Sequence, residues 1–262
     1  MPKNGNPLPL PPRGGFPARP RGIAPFLLPA LLALLLCAQA APAWAVQPNR
    51  LTKSLPLAAR DMEFYYRKPI PPAGLLRAFD AADSFKNGEA RLLAAAFFGE
   101  LMRGDDAAAQ QMMTQTKSLS ADGRRMLAWA VHFSGGAGEG AVLDSLLSEG
   151  EAPLRRRIER SPARIDQWDM SEATVLRMFW ACFYASGDTR WVDRIIAEAL
   201  RLAGMNAQSR QTGRGFEIAR SAAATLYDMA PRHPAVHDRL AAALSRAHGA
   251  EADILKQILR QK

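Results

Sequence analysis

The sequence predicts an all-α protein, built as stacked antiparallel helix hairpins in an irregular α-solenoid, with a compact all-α globular bundle as the alternative arrangement. Three observations predict it. No proline interrupts the chain between Pro72 and Pro153. Alanine, leucine, arginine and glutamate dominate and favour helix, whereas β-branched residues are few and period-two alternation is absent. Apolar residues recur every three or four positions, and Gly-Asp pairs punctuate the runs. One hairpin cannot bury both of its apolar faces alone, so several must stack.

Taken in order, the chain divides into residues 1–45, 46–72 and 73–262. The first segment holds ten of the 19 prolines and no acidic residue. It starts with Lys3, Arg13, Arg19 and Arg21, continues with an apolar run from Ile23 to Ala41, and ends in Ala43-Trp44-Ala45. Basic, apolar, then small is the pattern of a secretory signal peptide, and Ala43 and Ala45 fit the small-residue pockets of the peptidase. An uncleaved anchor is the rival reading, because the run approaches the roughly 20 residues that span a bilayer. A lipoprotein reading on Cys37 suffers from Leu36, which occupies a position where a small residue is needed. Arg19 and Arg21 are split by Pro20, so the paired-arginine export motif is absent.

Cleavage after Ala45 removes four basic residues and lowers the formal charge from +9 to +5. Much of the basic balance is therefore targeting, and export argues against a nucleic-acid partner. It also leaves Cys182 as the only cysteine, flanked by Trp180, Ala181, Phe183 and Tyr184, which reads as a small buried hydrophobe.

Residues 46–72 are a proline-rich lead-in. Pro48, Pro56, Pro69, Pro71 and Pro72 forbid one long helix, though a short one over 57–66 fits. Phe64, Tyr65 and Tyr66 predict that this segment packs on the body. Helices are then expected over 88–103, 105–116, 121–133, 139–148, 171–186, 188–203, 213–229, 234–248 and 250–260. The unit 171–203 is the clearest. Its first helix is apolar nearly all round and is expected to be buried; Gly187 is its left-handed stop, and Asp188 caps the next helix. Gly104-Asp105 repeats that stop and start.

The phrases Ala95-Ala96-Phe97-Phe98-Gly99-Glu100-Leu101-Met102-Arg103-Gly104-Asp105 and Phe179-Trp180-Ala181-Cys182-Phe183-Tyr184-Ala185-Ser186-Gly187-Asp188 resemble parts of an uncharacterised group of exported bacterial helical proteins. The resemblance covers these 21 residues. It implies an α-helical, repeat-like exported domain and transfers no catalytic residue.

Few residues suggest chemistry, and none is assigned as catalytic, cofactor-binding or metal-ligating; no cofactor is predicted. Gly135-Gly136-Ala137-Gly138-Glu139-Gly140 lacks the preceding strand and Gly-Lys-Ser/Thr ending of a phosphate loop, so it reads as a connector. His233 and His237 are four apart and share a helix face, as zinc ligands do, but no third ligand lies near. Glu100 stands in an apolar helix. Burial raises a carboxylate's pKa and suits it to act as a general acid, which gives the alternative of an envelope hydrolase. The simpler expectation is that it points outward and pairs with Arg103. Arg155, Arg156 and Arg157, with Arg160, form the densest basic patch, suited to an anionic envelope component. The expectation is thus a periplasmic or secreted, non-catalytic binding or scaffolding module of the bacterial envelope. Its partner would be another envelope protein or an anionic component. A retained signal would instead give an inner-membrane-tethered assembly factor.

Overall fold

The computed structural model describes residues 62–136, 138–205 and 213–260. The expected cleavage residues Ala43 and Ala45, and most of the lead-in, lie outside the described residues. The described residues are all-α, as the composition predicts, with eleven α-helices and no strand among them. They are α1 (Pro72–Ala81), α2 (Gly88–Gly104), α3 (Asp106–Met113), α4 (Ala121–Ser134), α5 (Glu139–Leu146) and α6 (Ala152–Arg160). There follow α7 (Ala173–Ser186), α8 (Arg190–Leu200), α9 (Arg214–Met229), α10 (Pro234–Leu244) and α11 (Gly249–Leu259). No helix among the described residues is long and apolar enough to cross a membrane.

Local chemistry explains the boundaries. The Asn87 side chain accepts the amides of Glu89 and Ala90 and so starts α2. Asp105 does the same for α3 through Ala107 and Ala108, directly after Gly104 ends α2. Gly187 ends α7 at φ +68°, the left-handed conformation that glycine adopts without penalty. Asp188 then accepts the Arg190 amide at 2.9 Å. Neither α1 nor α6 is among the helices that the sequence pattern predicts; α6 is bounded by Pro153 and Pro162. Pro153 sits in its first turn, where a missing N–H costs nothing.

The packing has a register that the side chains report. Along α2 and α7, Glu89 meets Thr174 and Arg177, the Ala96 carbonyl accepts from Cys182 Sγ at 3.7 Å, and Glu100 meets Arg190 just past the turn. Numbers rise together, so the two helices run parallel. Likewise Arg91 pairs with Asp122 while Gly99 abuts Ala130 and Phe133, which sets α4 parallel to α2. Trp180 donates to Thr225, and the Tyr184 hydroxyl lies 3.2 Å from Met229 Sδ, which sets α9 parallel to α7. The row is therefore α4–α2–α7–α9, with α5, α3, α8 and α10 as return helices. The row does not follow chain order, because α2 occupies the interior and packs on both α4 and α7.

That position explains why α2 is so apolar. Residues 94–100 are buried without a break, and Phe97 and Phe98 meet edge to face at 5.3 Å between centroids. Gly99 lets the α2 and α4 backbones close up: a Cβ there would lie 2.9 Å from the Ala130 carbonyl oxygen. The lead-in aromatics do pack on the body. Tyr65 meets the Phe97 ring and donates its hydroxyl to the Ile70 carbonyl. Tyr66 lies over the α7–α8 turn, where a Cβ on Gly187 would come within 2.7 Å of its ring.

Candidate functional site

Glu100 is buried, with 5% of its side chain exposed. It does not point outward as its local pairing with Arg103 suggests: α2 is buried on all sides at this level and offers no wet face. Its carboxylate accepts from Arg103 Nη1 at 2.9 Å, Arg190 Nη2 at 3.0 Å and Trp191 Nε1 at 3.1 Å. Arg103 also donates to the Phe133 carbonyl at the end of α4. One carboxylate thus ties α2, α4 and α8 together. A general acid needs a carboxyl oxygen turned toward substrate, and both oxygens here face protein donors.

Asp166 makes the outer layer of this cluster. Its hydrogen bond to Arg164, helped by the positive charges of Arg164, Arg190 and Arg103, holds its carboxyl below the usual aspartate range against the opposing effect of burial. Its backbone carbonyl accepts from Arg194 at 3.2 Å. Cys182 is fully buried beneath, and burial, with the negative charge of Glu100, pushes its thiol well above the ordinary range. The thiol packs as a core side chain.

A second cluster was invisible in the sequence. His233 is completely buried and caps α10. Its Nε2 lies 3.1 Å from Glu63 Oε1, and its Nδ1 lies 3.1 Å from the Tyr66 hydroxyl. Phe64 stacks on it at 4.8 Å, and Arg232 completes the ion pair with Glu63. This network fastens residues 63–66 to the α7–α9–α10 end of the row. His237 is exposed beside Asp238, so the two histidines four apart are not brought together as ligands. Among the described residues no group of three potential ligands could hold a metal ion.

His132 joins three elements. Its Nδ1 lies 2.6 Å from Glu139 at the start of α5, and its Nε2 lies 2.9 Å from the Ser161 carbonyl just past α6. It thereby links the two sides of the Gly135–Gly138 connector, in which Gly135 and Gly138 have positive φ. A cavity of about 540 Å³ opens beside the start of α4, lined by Arg124, Arg125, Ser145, Ser148 and Glu151 among others. Its guanidinium groups are engaged, Arg124 on the Leu119 carbonyl at 2.8 Å and Arg125 on Asp122 at 3.0 Å and Glu151.

The predicted arginine patch lies on α6, and the structure divides it. Ile158 anchors the helix in the core. Arg155 is neutralised by Asp144 and by Glu159. Arg156 and Arg157 are exposed, as is Arg160, and these three guanidinium groups have no hydrogen bond or ion pair among the described residues. Positions 156 and 160, and 157 and 160, are neighbours on a helix surface, about 5–6 Å apart at Cβ, so the three form a triangle. Apart from Ile70 and Tyr227, no large hydrophobic side chain is exposed among the described residues. No known protein family, curated protein or solved structure matches this chain.

Proposed function

We propose that the chain is exported across a bacterial inner membrane, cleaved after Ala45, and acts in the envelope as a non-catalytic binding or scaffolding module. The observation that carries the binding half is the exposed triangle Arg156–Arg157–Arg160, a cluster of cations without acidic partners. Arginine forks match carboxylate and phosphate geometry, and three on one face select an anionic partner. The other ionisable clusters are spent on the fold: Glu100, Glu63, His132 and His233 each bridge separate elements. The export half rests on the basic, apolar and small succession of residues 1–45.

Cell fractionation with N-terminal sequencing tests export. A soluble envelope species starting at Val46 is the expected result; intact Met1 in the membrane fraction would establish the tethered form instead. Capture of partners from envelope extract tests binding. The expected capture is released by salt, because exposed charges are screened within about 10 Å at 0.1 M ionic strength. Capture that salt does not touch would overturn the role of the triangle.

A further inference from the structure

We propose that the α6 triangle is a peripheral membrane-docking surface that seats on the phosphate layer of an anionic phospholipid bilayer. The proposal rests on the exported binding module described above and names its partner. Between residues 152 and 164 the chain carries five arginines; Arg155 engages Glu159 and Asp144, and Arg164 pairs with Asp166, which leaves Arg156, Arg157 and Arg160 open. What remains facing water is cationic and borne on an outward helix face. Complementarity to the helix C-terminus accounts for cations at Arg157 and Arg160 in the last turn of α6; Arg156, the residue just before that turn, adds a third.

The shape of the site favours a surface over a small ion. The three guanidinium groups are exposed on α6, and none of them lines the cavity beside Arg124 and Arg125. An isolated phosphate on such a face keeps most of its hydration. A sheet of headgroup phosphates engages all three arginines at once, and their contributions add. The chemistry also excludes deep insertion: Ile158 is buried, Leu154 is partly buried, and α6 offers no exposed large hydrophobic side chain. Docking is therefore electrostatic and reversible. The apolar run Ile23–Ala41 brings the chain to such a surface during export. His132 holds the Ser161 carbonyl that follows α6 and so fixes how the triangle is presented.

Vesicle flotation of the mature chain tests this, with phosphatidylglycerol-rich and pure phosphatidylcholine vesicles compared at low and high salt. The expected result is flotation with the anionic vesicles only, abolished by high salt. Each basic residue near an anionic surface contributes about fivefold to partitioning, so R156Q/R157Q/R160Q should lower it on the order of 100-fold. A control, R77Q/K117Q/R246Q, removes the same charge from other exposed positions and should bind as the parent does. R156K/R157K/R160K keeps the charge and should retain binding. Equal losses in the triangle variant and the control would overturn the proposal, since net charge alone would then explain binding. No flotation of the parent, with capture of an envelope protein intact, would overturn membrane docking and leave the binding module standing. Failure of both would remove the two together.

Discussion

Replacing Glu100 by glutamine separates a structural carboxylate from a catalytic one. Glutamine keeps the volume but loses the charge, and its amide NH2 group must face one of the donors that Glu100 now satisfies. Trp191, fully buried, donates to Oε1 at 3.1 Å and has no water to replace its acceptor. Arg103 and Arg190 are 26% and 45% exposed and can partly resolvate, so their share of the loss is smaller. Removing one partner of a buried, hydrogen-bonded charge cluster costs about 3–5 kcal/mol. At roughly 2–4 °C per kcal/mol for a domain of this size, Glu100→Gln should lower Tm by about 10 °C. Thermal and urea melts followed by far-UV circular dichroism measure it, with Glu159→Gln as an exposed control that should move stability by no more than about 0.5 kcal/mol. A Glu100→Gln chain as stable as the parent would refute the three-helix tie. If such a chain also lost a glycan-cleaving activity present in the parent, the hydrolase reading would replace ours.

Three more predictions follow from particular contacts. Gly99→Ala gains about 1 kcal/mol of helix propensity but puts a Cβ 2.8 Å from Phe133 Cβ and 2.9 Å from a backbone oxygen, so it should destabilise by about 1–2 kcal/mol net. Gly104→Ala, with nothing within 4 Å, should instead be neutral or stabilising by up to about 1 kcal/mol, and melts of the two variants should move oppositely. In a Cys37→Ser background, Cys182 should resist iodoacetamide at pH 8 and react fully in denaturant; rapid native labelling would contradict its burial. Asp166 has a folded pKa depressed mainly by Arg164, so the pair's stabilisation is present above the ordinary aspartate value of 3.8 and is lost as pH falls through the depressed value. The Tm gap between parent and Arg164→Gln should therefore close in acid, and a gap that widens there would be contrary.

What the sequence made legible is what local chemistry decides. Gly187 marks a real helix end through its left-handed conformation and Asp105 through capping α3, both local effects, while Gly104 itself stays helical. The Phe64–Tyr66 aromatics do pack, since three adjacent rings cannot all stay in water. Hairpin order was not legible, because α2 finds α7 with 86 residues separating Ala96 from Cys182. Nor was the direction of Glu100, whose indole partner lies 91 residues on. The unbroken apolar run before it, Ala94–Gly99, was the available clue: a helix buried all round leaves no polar face for Glu100 to take. Pro234 in the first turn of α10 puts His233 at the N-cap position by local chemistry, while its bonds to Glu63 and Tyr66 depend on a segment some 170 residues earlier. The arginine run was legible as a patch, but only the structure divides it into a neutralised Arg155 and an open triangle.

The central claim is that the open charge on α6 is the recognition surface while the buried charge is structural. It is tested most directly by titrating the labelled mature chain with isolated envelope membranes over a range of salt. The parent's affinity should fall steeply as ionic strength rises, and R156Q/R157Q/R160Q should bind weakly with a flat salt dependence. Superimposable curves for parent and variant would contradict it.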